Sequence, residues 1–194
     1  GLRENVERSA AMSMLITEKG TFFICDPYVN PGPSAEQIAQ ITVLAAETVR
    51  QFGIEPKAAM LSHSNFGSSS SPRALKMREA AELVRRIDPS FEVEGEMHAD
   101  VALREELRTP LVGNSNLTGS ANLLIMPSLD AAKISYNLLR VLSGGVAVGP
   151  MLLGLRKTAH ILQDSVTTRG ILNMTAIAVV DAQSDDDPEL PFAG

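Results

Sequence analysis

The first apolar positions of the chain fall into two short runs separated by a polar turn. Residues 9–17 and 21–25 are rich in apolar side chains, and Glu18-Lys19-Gly20 lies between them. Apolar runs joined by a glycine-containing turn are typical of a β-hairpin. The pattern therefore predicts strands at Ser9–Thr17 and Thr21–Cys25. A loop stiffened by three prolines follows at Asp26–Pro33.

A clear helical period begins at Ser34. Ser34 and Gln37 have the spacing of a capping box, in which each side chain bonds the backbone of the other residue. Apolar residues then recur at helical spacing as far as Phe52, and Gly53 provides a stop signal. The next apolar run predicts a short strand at Ala58–Leu61.

The middle of the chain alternates between helical and extended patterns. The predicted elements are a helix at Arg73–Arg86, a strand end at Phe91–Val93, a short helix ending near Arg108, a loop at Thr109–Ala121, a strand at Asn122–Met126 and a helix at Leu129–Leu142.

The last third of the chain is punctuated by glycine. Val146–Val148 predicts a strand, and Gly149-Pro150 should end it, since Pro150 has no N–H and restricts the residue before it. A basic glycine loop with Gly154, Arg156 and Lys157 follows. After this loop the pattern predicts a second apolar strand at Ala159–Leu162 and an apolar helix from about Thr167.

Short strands that alternate with amphipathic helices predict one fold class. The expectation is a three-layer α/β/α fold with a largely parallel sheet and right-handed crossovers. In such sheets ligands bind outside the carboxyl ends of the strands. The loops that follow predicted strands are Ser62–Pro72, Gly95–Asp100, Pro127–Asp130 and Gly149–Lys157. Any site should therefore lie on the rim that these loops form.

Composition narrows the classes of partner. Asp and Glu number 23 against 17 Lys and Arg, a formal net charge of −6, and no basic block occurs. This balance argues against nonspecific nucleic-acid binding, although a local cationic pocket for an anion remains open. Cys25 is the single cysteine, which excludes an intrachain disulfide and fits a reducing cytoplasm. No apolar run is long enough to span a bilayer.

Two loops are candidates for binding an anion. The hydroxyl-rich loop Ser62–Ser71 precedes a helix and suits a phosphate or carboxylate, the alternative being a flexible capped turn. Arg156 and Lys157 lie in the glycine loop, where a ligand role and ordinary solvated charge are both open. Gly149–Gly154 has the glycine spacing of a Walker loop, but the required Lys-Ser/Thr is missing.

The remaining reactive side chains favour no other chemistry. His63, His98 and His160 lack the spacing of a zinc helix, so we predict no metal site in this segment. Cys25 stands beside Asp26 and has no nearby cation to lower its pKa, which argues against a nucleophilic role.

Five segments together resemble the phosphotransacetylase (phosphate acetyltransferase) family, and more closely the phosphotransacetylase-like C-terminal domain of hybrid NADP-dependent malic enzymes. They cover nearly the whole chain. The segments are Asp26–Phe52 with FGIEP at Phe52–Pro56, AMLSHSNFGSS at Ala59–Ser69, GEMHADVAL at Gly95–Leu103, ANLLIMPSLDAAKISYNLL at Ala121–Leu139, and VGPMLLGLRKTAHIL at Val148–Leu162. The resemblance implies the phosphotransacetylase fold, which is isocitrate-dehydrogenase-like. It also implies that residues 1–183 are the C-terminal portion of a two-lobe unit, followed by an acidic flexible tail at 184–194.

The departures from the family concern its catalytic groups. The resemblance implies that active members share an Asn-Asp-Leu-Ser-Arg-Gly motif. Its Ser-Arg pair, and an Asp six residues after that Arg, are implicated in catalysis. In this register Gln163 stands for the Ser, Asp164 for the Arg and Gly170 for the Asp. An acidic residue has the wrong sign for stabilising acetyl phosphate. The family's Tyr-Lys pair becomes Tyr136-Asn137, which removes another cation.

The resemblance implies a regulatory module of an NADP-dependent malic enzyme that binds acetyl-CoA or another acyl-CoA. NADP, a divalent metal and malate decarboxylation are expected only in a separate N-terminal domain. The module should contact that domain and assemble as a dimer or larger homo-oligomer in the cytoplasm. Residues expected to face acetyl-CoA or phosphate are Ser62, His63, Ser64, Asn65, Ser68, Tyr136, Asn137, Arg140, Gly149, Pro150, Gly154, Arg156 and Lys157. An active phosphate acetyltransferase and a purely structural assembly domain are the alternatives.

Overall fold

The computed structural model describes residues 1–164 and 166–183. The acidic tail predicted at residues 184–194 lies outside this part of the chain. The strands are β1 (Ala10–Thr17), β2 (Gly20–Cys25), β3 (Lys57–Leu61), β4 (Glu92–Met97), β5 (Leu123–Ile125) and β6 (Val146–Leu153). The helices are α1 (Ala35–Gln51), α2 (Pro72–Ile87), α3 (Ala99–Leu103), α4 (Glu105–Val112), α5 (Leu129–Leu142) and α6 (Thr168–Gln183). None of these described helices is both long and apolar enough to cross a bilayer.

The six strands form one sheet in the order β4-β3-β5-β2-β1-β6. The neighbours β4, β3, β5 and β2 are parallel, whereas β1 pairs antiparallel with both β2 and β6. The expected α/β fold is therefore confirmed, and the sheet is mixed. Its antiparallel side arises because the predicted hairpin inserts β1 between β2 and β6.

Two apolar clusters, one on each face of the sheet, give the molecule three layers. Side chains of one face pack against α1, α2 and Met174 of α6. Alternate side chains of the same strands point the other way, so that Met14 joins the first cluster and Leu15 the second. The second cluster includes α3, Leu117 and the buried side of α5. The sheet thus buries both faces, as in other α/β proteins.

The local start of α1 agrees with the predicted capping box. The Ser34 hydroxyl accepts from the Gln37 N–H, and the Gln37 side chain accepts from the Ser34 N–H. These two bonds satisfy backbone donors that have no partner within the helix. At the other end Gly53 adopts φ +70°, a left-handed conformation that suits glycine and ends the helix.

The predicted stop at Gly149-Pro150 is wrong, because β6 continues through it to Leu153. β6 is the outer strand of the sheet, where a residue without N–H is tolerated. The pairing with β1 shifts register between Met12 and Met14, beside this dipeptide. Gly149 adopts φ +122° there and lies so close to Met12 that an added Cβ would be 3.1 Å from its carbonyl oxygen. The glycine and the irregular register thus let the strand pass the proline.

Two further predictions are corrected by the structure. The predicted loop Thr109–Ala121 begins inside α4, which holds Pro110 in its interior. The reason is Arg108, whose buried guanidinium donates to carbonyl oxygens on both sides of α4, including those of Val101 and Leu117. Residues 159–162 form no strand, because the His160 side chain accepts from the Leu152 N–H, on the edge of β6 where a further strand would pair.

The predicted rim exists at the carboxyl ends of the parallel strands. The loops after β3 and β4 touch, since the His98 N–H donates to the Asn65 side chain at 2.7 Å. Lys76 joins the loops after β2 and β5 by donating to the carbonyl oxygens of Pro33 and Pro127. β6 ends at the same rim, so Gly154 lies there, but Gly149 lies within the strand.

Candidate functional site

A cleft of about 160 Å³ lies beside the outer strand rather than on the rim. Its walls are α5, the first half of β6, the residues before α6 and the first turns of α6. The lining includes Tyr28, Tyr136, Arg140, Val148, Gly149, Leu162, Gln163, Val166, Thr167, Gly170, Asn173 and Met174. Polar and apolar side chains alternate around it, which is typical of a site that orients a ligand.

Two tyrosines form the aromatic wall of the cleft. The rings of Tyr28 and Tyr136 meet edge to face, with centroids 6.2 Å apart. Burial, reinforced by Tyr136, raises the pKa of Tyr28 to about 12. The Tyr28 hydroxyl is therefore protonated at physiological pH and is not a base.

Cations accompany the aromatic wall. The ammonium of Lys133 lies 3.7 Å from the centre of the Tyr28 ring. The Arg140 guanidinium lies 5.8 Å from the centre of the Tyr136 ring. Partial burial and the charge of Arg140 lower the pKa of Lys133 from its ordinary value. Of these two cations Arg140 lines the cleft, so it is the one that an anion bound there would meet.

The N-terminus of α6 adds donors to the same cleft. The Thr167 hydroxyl accepts from the Gly170 N–H at 3.1 Å, and both residues line the cleft. No acidic residue occurs in the first turn of this helix. Unpaired N–H groups and the helix dipole attract anions at such a position. None of the lining residues is Asp or Glu. The cleft is therefore suited to a negatively charged group that carries an apolar part.

The structure brings together five of the residues singled out from the sequence. They are Tyr136, Arg140, Gly149, Gln163 and Gly170. Asp164 is exposed and is not among the lining residues. Asn137 is exposed on another side of α5, and Pro150 is buried within β6. The cleft thus contains two of the three positions at which the family resemblance implies a replaced catalytic group.

The hydroxyl-rich loop Ser62–Ser71 surrounds a carboxylate of the protein itself. Glu96 accepts from the Ser64 hydroxyl at 2.7 Å and from the Gly67 N–H at 3.0 Å. Arg78 donates two further bonds to it, at 2.9 and 3.0 Å. Burial opposes ionisation of Glu96, but these donors outweigh burial and lower its pKa to about 2. The anion at the centre of this loop is therefore Glu96.

The other polar groups of this loop also bond within it. The Ser68 hydroxyl accepts from the Asn65 N–H and lies 3.1 Å from the Ser64 hydroxyl. The Ser62 hydroxyl accepts from the Ser64 N–H at 3.3 Å. His63 Nε2 lies 3.2 Å from the Ser71 hydroxyl. None of these residues lines the cleft. Their role toward a phosphate or acetyl-CoA stays a prediction.

The basic glycine loop lies apart from the cleft lining. The Gly154 carbonyl accepts from the Arg3 N–H, and the Arg156 N–H donates to the Gly1 carbonyl. These bonds join the loop to the first residues of the chain. The side chains of Arg156 and Lys157 are exposed. Ligand binding by this pair also stays a prediction.

The cleft includes several residues that could not be singled out from the sequence. Tyr28 lies in a proline loop whose position beside α5 depends on the pairing of β2 with β5. Thr167 is a helix cap, which the sequence marked only as the approximate start of a helix. Asn173 and Met174 lie in the apolar helix predicted from about Thr167, and nothing in that helical pattern singled them out.

Other reactive groups are inert by position. The Cys25 thiol is buried, and burial together with the charge of Asp26 raises its pKa well above the ordinary value. A neutral buried thiol is a poor nucleophile. Within residues 1–164 and 166–183, no group of three or more His, Cys, Asp and Glu side chains is arranged to hold a metal ion.

The sequence matches a family model and several curated proteins. Residues 1–179 match the model described as phosphate acetyl/butaryl transferase. An NADP-dependent malic enzyme of Escherichia coli (strain K12) is 54% identical over 95% of this chain, which spans 24% of that protein. A phosphate acetyltransferase of Clostridium acetobutylicum is 34% identical over 86% of this chain and 50% of its own length. The chain therefore spans about a quarter of the malic enzymes and half of this acetyltransferase.

Solved structures give the same fold. A phosphotransacetylase from Streptococcus pyogenes superposes with a TM-score of 0.90 at 30% identity, over 94% of this chain and 56% of that one. The EutD phosphotransacetylase from Staphylococcus aureus superposes with a TM-score of 0.88 at 29% identity, over 93% and 56%. The three-layer arrangement is thus a fold shared with these proteins.

Proposed function

The chain belongs to the phosphate acetyl/butaryl transferase family, and from that premise we propose that it is the C-terminal regulatory module of an NADP-dependent malic enzyme. In this proposal the module binds acetyl-CoA as an allosteric effector and does not transfer acetyl groups. Oxidative decarboxylation of malate to pyruvate would take place in a separate N-terminal domain. The 54% identity with a malic enzyme supports this assignment over one to a free-standing acetyltransferase.

The observation that carries the proposal is a cleft fit for an anion at which the family's catalytic groups are replaced. Arg140, Tyr136 and the N-terminus of α6 remain in place. Gln163 and Gly170 stand in the same cleft where the family resemblance implies a Ser and an Asp. Glutamine offers no hydroxyl nucleophile or acid–base group, and glycine offers no side chain at all. Binding can therefore persist where acetyl transfer is lost.

The size and charge of the cleft suit part of a coenzyme A molecule. Its volume of about 160 Å³ is below the roughly 300–1,000 Å³ of a pocket that encloses a drug-sized ligand. Coenzyme A carries a pyrophosphate and an apolar acyl end, and these match Arg140 and the apolar lining of the cleft respectively. We infer that this chain supplies one wall, and that the other lobe of the two-lobe unit supplies the rest.

Two alternatives to the regulatory module each have an observation in their favour. An active phosphate acetyltransferase is favoured by the 34% identity with the Clostridium acetobutylicum enzyme, and the replaced residues argue against it. A purely structural assembly domain is favoured by apolar side chains on the exposed face of α5, since such faces often mark interfaces. Ile134, Leu138, Val141 and Leu142 are 56–79% exposed. Assembly into a homo-oligomer and a cytoplasmic location are further parts of the proposal.

The complete polypeptide provides the test of the proposal. Malate-dependent reduction of NADP is measured while acetyl-CoA is added, and acetyl transfer from acetyl phosphate to coenzyme A is assayed separately. The expected result is a saturable change in malic enzyme activity without acetyl transfer. Transfer at an ordinary enzymatic rate of about 1 s⁻¹ or more would replace the proposal with the acetyltransferase alternative. No response and no calorimetric binding of acetyl-CoA would favour the structural alternative.

Single-residue variants locate the effector. Arg140→Ala removes the cation of the cleft, and loss of a charge-assisted phosphate contact weakens binding by roughly 10- to 150-fold. Arg156→Ala and Lys157→Ala test the glycine loop, and Arg86→Ala, exposed on α2, is the control. We expect the acetyl-CoA response to move to higher concentration in Arg140→Ala and to stay unchanged in Arg86→Ala. A shift only in the Arg156 or Lys157 variants would move the site to that loop.

A further inference from the structure

A second cavity lies on the other side of the outer strand from the cleft, where the end of α1 faces α6. Its volume is about 280 Å³, larger than that of the cleft. Most of its surface is apolar, from side chains such as Phe52, Met151 and Ile177. Its polar groups come from Thr48, Gln51, His160 and Asp181. Binding of acetyl-CoA at the cleft involves none of the residues that line this cavity.

His160 presents an unused donor at this cavity. Its side chain is only 7% exposed. Nδ1 accepts from the Leu152 N–H at 3.3 Å, so in the neutral ring the proton is on Nε2. Burial lowers the pKa of His160 from its ordinary value, an effect that the charge of Asp181 opposes in part. Nε2 is buried and has no hydrogen-bond partner among the described residues.

Asp181 is close to this donor and does not satisfy it. Asp181 Oδ2 is 3.8 Å from His160 Nε2, beyond the range of an N–H···O hydrogen bond. A buried polar group without a hydrogen-bond partner destabilises the fold by roughly the hydration free energy that it has lost. Native proteins therefore normally provide a hydrogen-bond partner for such a group. An oxygen atom about 2.8 Å from both groups would lie off the line that joins them. At that point it would accept from the imidazole and donate to the carboxylate.

We propose that this cavity is a binding site for a small uncharged molecule with a hydrocarbon body and one hydroxyl group. The hydrocarbon part packs against Phe52, Met151 and Ile177, which line the cavity. The hydroxyl lies between His160 and Asp181, accepting from the first and donating to the second.

The two polar groups exclude charged ligands. A carboxylate or phosphate could accept from His160 Nε2, but it would face the Asp181 carboxylate, and the lining contains no Lys or Arg. An ammonium ion could pair with Asp181, but it has no lone pair for the imidazole N–H. A pure hydrocarbon would leave the imidazole donor unsatisfied. A hydroxyl group both donates and accepts, and it fits the pair without a net charge.

NMR titration of the isotopically labelled chain tests this site with cyclohexanol as the probe. Methylcyclohexane and cyclohexanecarboxylate have similar ring size and serve as comparison ligands. We expect saturable shifts in residues that line the cavity with cyclohexanol, and weaker binding of both comparison ligands by about tenfold or more. The ¹⁵N signals of His160 should report the Nε2–H tautomer with and without the probe. Equal binding of methylcyclohexane, or no saturable shifts with cyclohexanol, would overturn the proposal.

Variants on α6 provide matched controls. Ala176 lines the cavity, so Ala176→Phe should obstruct it and abolish cyclohexanol binding. Ala182 is exposed on the same helix and outside the lining, so Ala182→Phe should leave binding unchanged. Asp181→Ala removes the acceptor and should weaken cyclohexanol about tenfold without weakening methylcyclohexane. Undiminished binding in both Ala176→Phe and Asp181→Ala would exclude this cavity as the site.

Discussion

At the scale of single residues, the carboxylate of Glu96 shows how the chain uses charge in its interior. Its side chain is fully buried, yet it stays ionised because Arg78, Ser64 and the Gly67 N–H all donate to it. Breaking such an arrangement on one side is costly, since a buried charge or donor is left without its partner. Glu96 therefore fixes the loop after β3 against β4.

The acid stability of the protein should depend on Glu96. Its pKa in the folded chain, about 2, is below its ordinary value of 4.5. A lowered carboxyl pKa contributes stability that is present above the unfolded pKa and is lost as pH falls through the folded pKa. That contribution is about 3 kcal/mol at neutral pH and should decline between about pH 5 and pH 2. Urea unfolding of the unchanged chain across this range measures it.

Glu96→Gln separates this effect from the titration of other carboxylates. We expect the variant to be less stable by about 3 kcal/mol at pH 7 and to lose less stability on acidification to pH 2. Glu79→Gln, exposed on α2, is the control and should behave as the unchanged chain. Parallel acid profiles of the unchanged chain and Glu96→Gln would contradict this role.

The sequence suggested an anion in the Ser62–Ser71 loop but could not identify it. The hydroxyls and the helix that follows are local features, and they were visible as a pattern. Glu96 comes from another strand, and its approach to Ser64 depends on the parallel pairing of β3 with β4. A single sequence indicates which groups of a loop can bind an anion. It does not show which distant carboxylate reaches that loop, because tertiary structure determines that contact.

At the scale of elements, the pairing of β3 with β4 depends on one glycine. Gly95 has φ +138°, and a Cβ at this position would lie 2.8 Å from the Met60 carbonyl oxygen. Both the backbone conformation and the space therefore require glycine. The parallel register at this point pairs Met60 with Gly95. A larger residue would separate the strands that carry the Ser62 loop and Glu96.

Gly95→Ala should accordingly destabilise the fold. Strain at a position reserved for glycine and contact with the Met60 backbone together predict a loss of about 3 kcal/mol or more. Gly32 has no atom within 4 Å of an added Cβ and no positive φ, so Gly32→Ala is the matched control. Thermal unfolding of both variants decides the point. Equal melting temperatures for the two would show that β4 can shift to accommodate a side chain.

Elements whose signals are local were predicted well. α1 carries its own cap, period and stop within residues 34–53, and it was predicted nearly to its ends. The end of β6 was not predicted, because the continuation of this strand past Pro150 depends on pairing with β1, more than a hundred residues earlier. The second half of α4 was missed for a similar reason, since the buried contacts of Arg108 outweigh the proline within that helix. Propensity is a weak guide where distant packing decides.

At the scale of the whole molecule, the proposed loss of acetyl transfer is open to reversal. If the cleft is otherwise retained, Gln163→Ser, Asp164→Arg and Gly170→Asp would return the groups that the family resemblance implies. An added Cβ at Gly170 would lie 2.8 Å from the Val166 side chain, so Val166→Ala should accompany them. We expect the complete polypeptide with all four substitutions to transfer acetyl groups at least about tenfold faster than the unchanged one. Removal of a single catalytic group typically lowers a rate by more than this factor.

The control for this experiment is Gln163→Ser alone, which leaves two of the three groups missing and should show no gain. Transfer is measured with acetyl phosphate and coenzyme A, and binding of acetyl-CoA is measured in parallel. A fourfold variant that binds acetyl-CoA as the unchanged polypeptide does, but gains no transfer, would show that the catalytic deficit lies outside these positions.

The position of β1 between β2 and the outer strand β6 has a consequence for synthesis on the ribosome. One edge of β1 can pair with β2 as soon as the hairpin has been made. The other edge cannot pair until β6 has been made, since Ala10 pairs with Leu153. At 5–20 residues per second, translation of the intervening chain takes roughly 7–29 s. Throughout that interval the nascent chain exposes an unpaired strand edge that another nascent chain or a chaperone can bind. Ribosome-bound chains that stop before Val146 should therefore be sensitive to protease within β1, and chains in which β6 has left the exit tunnel should be resistant.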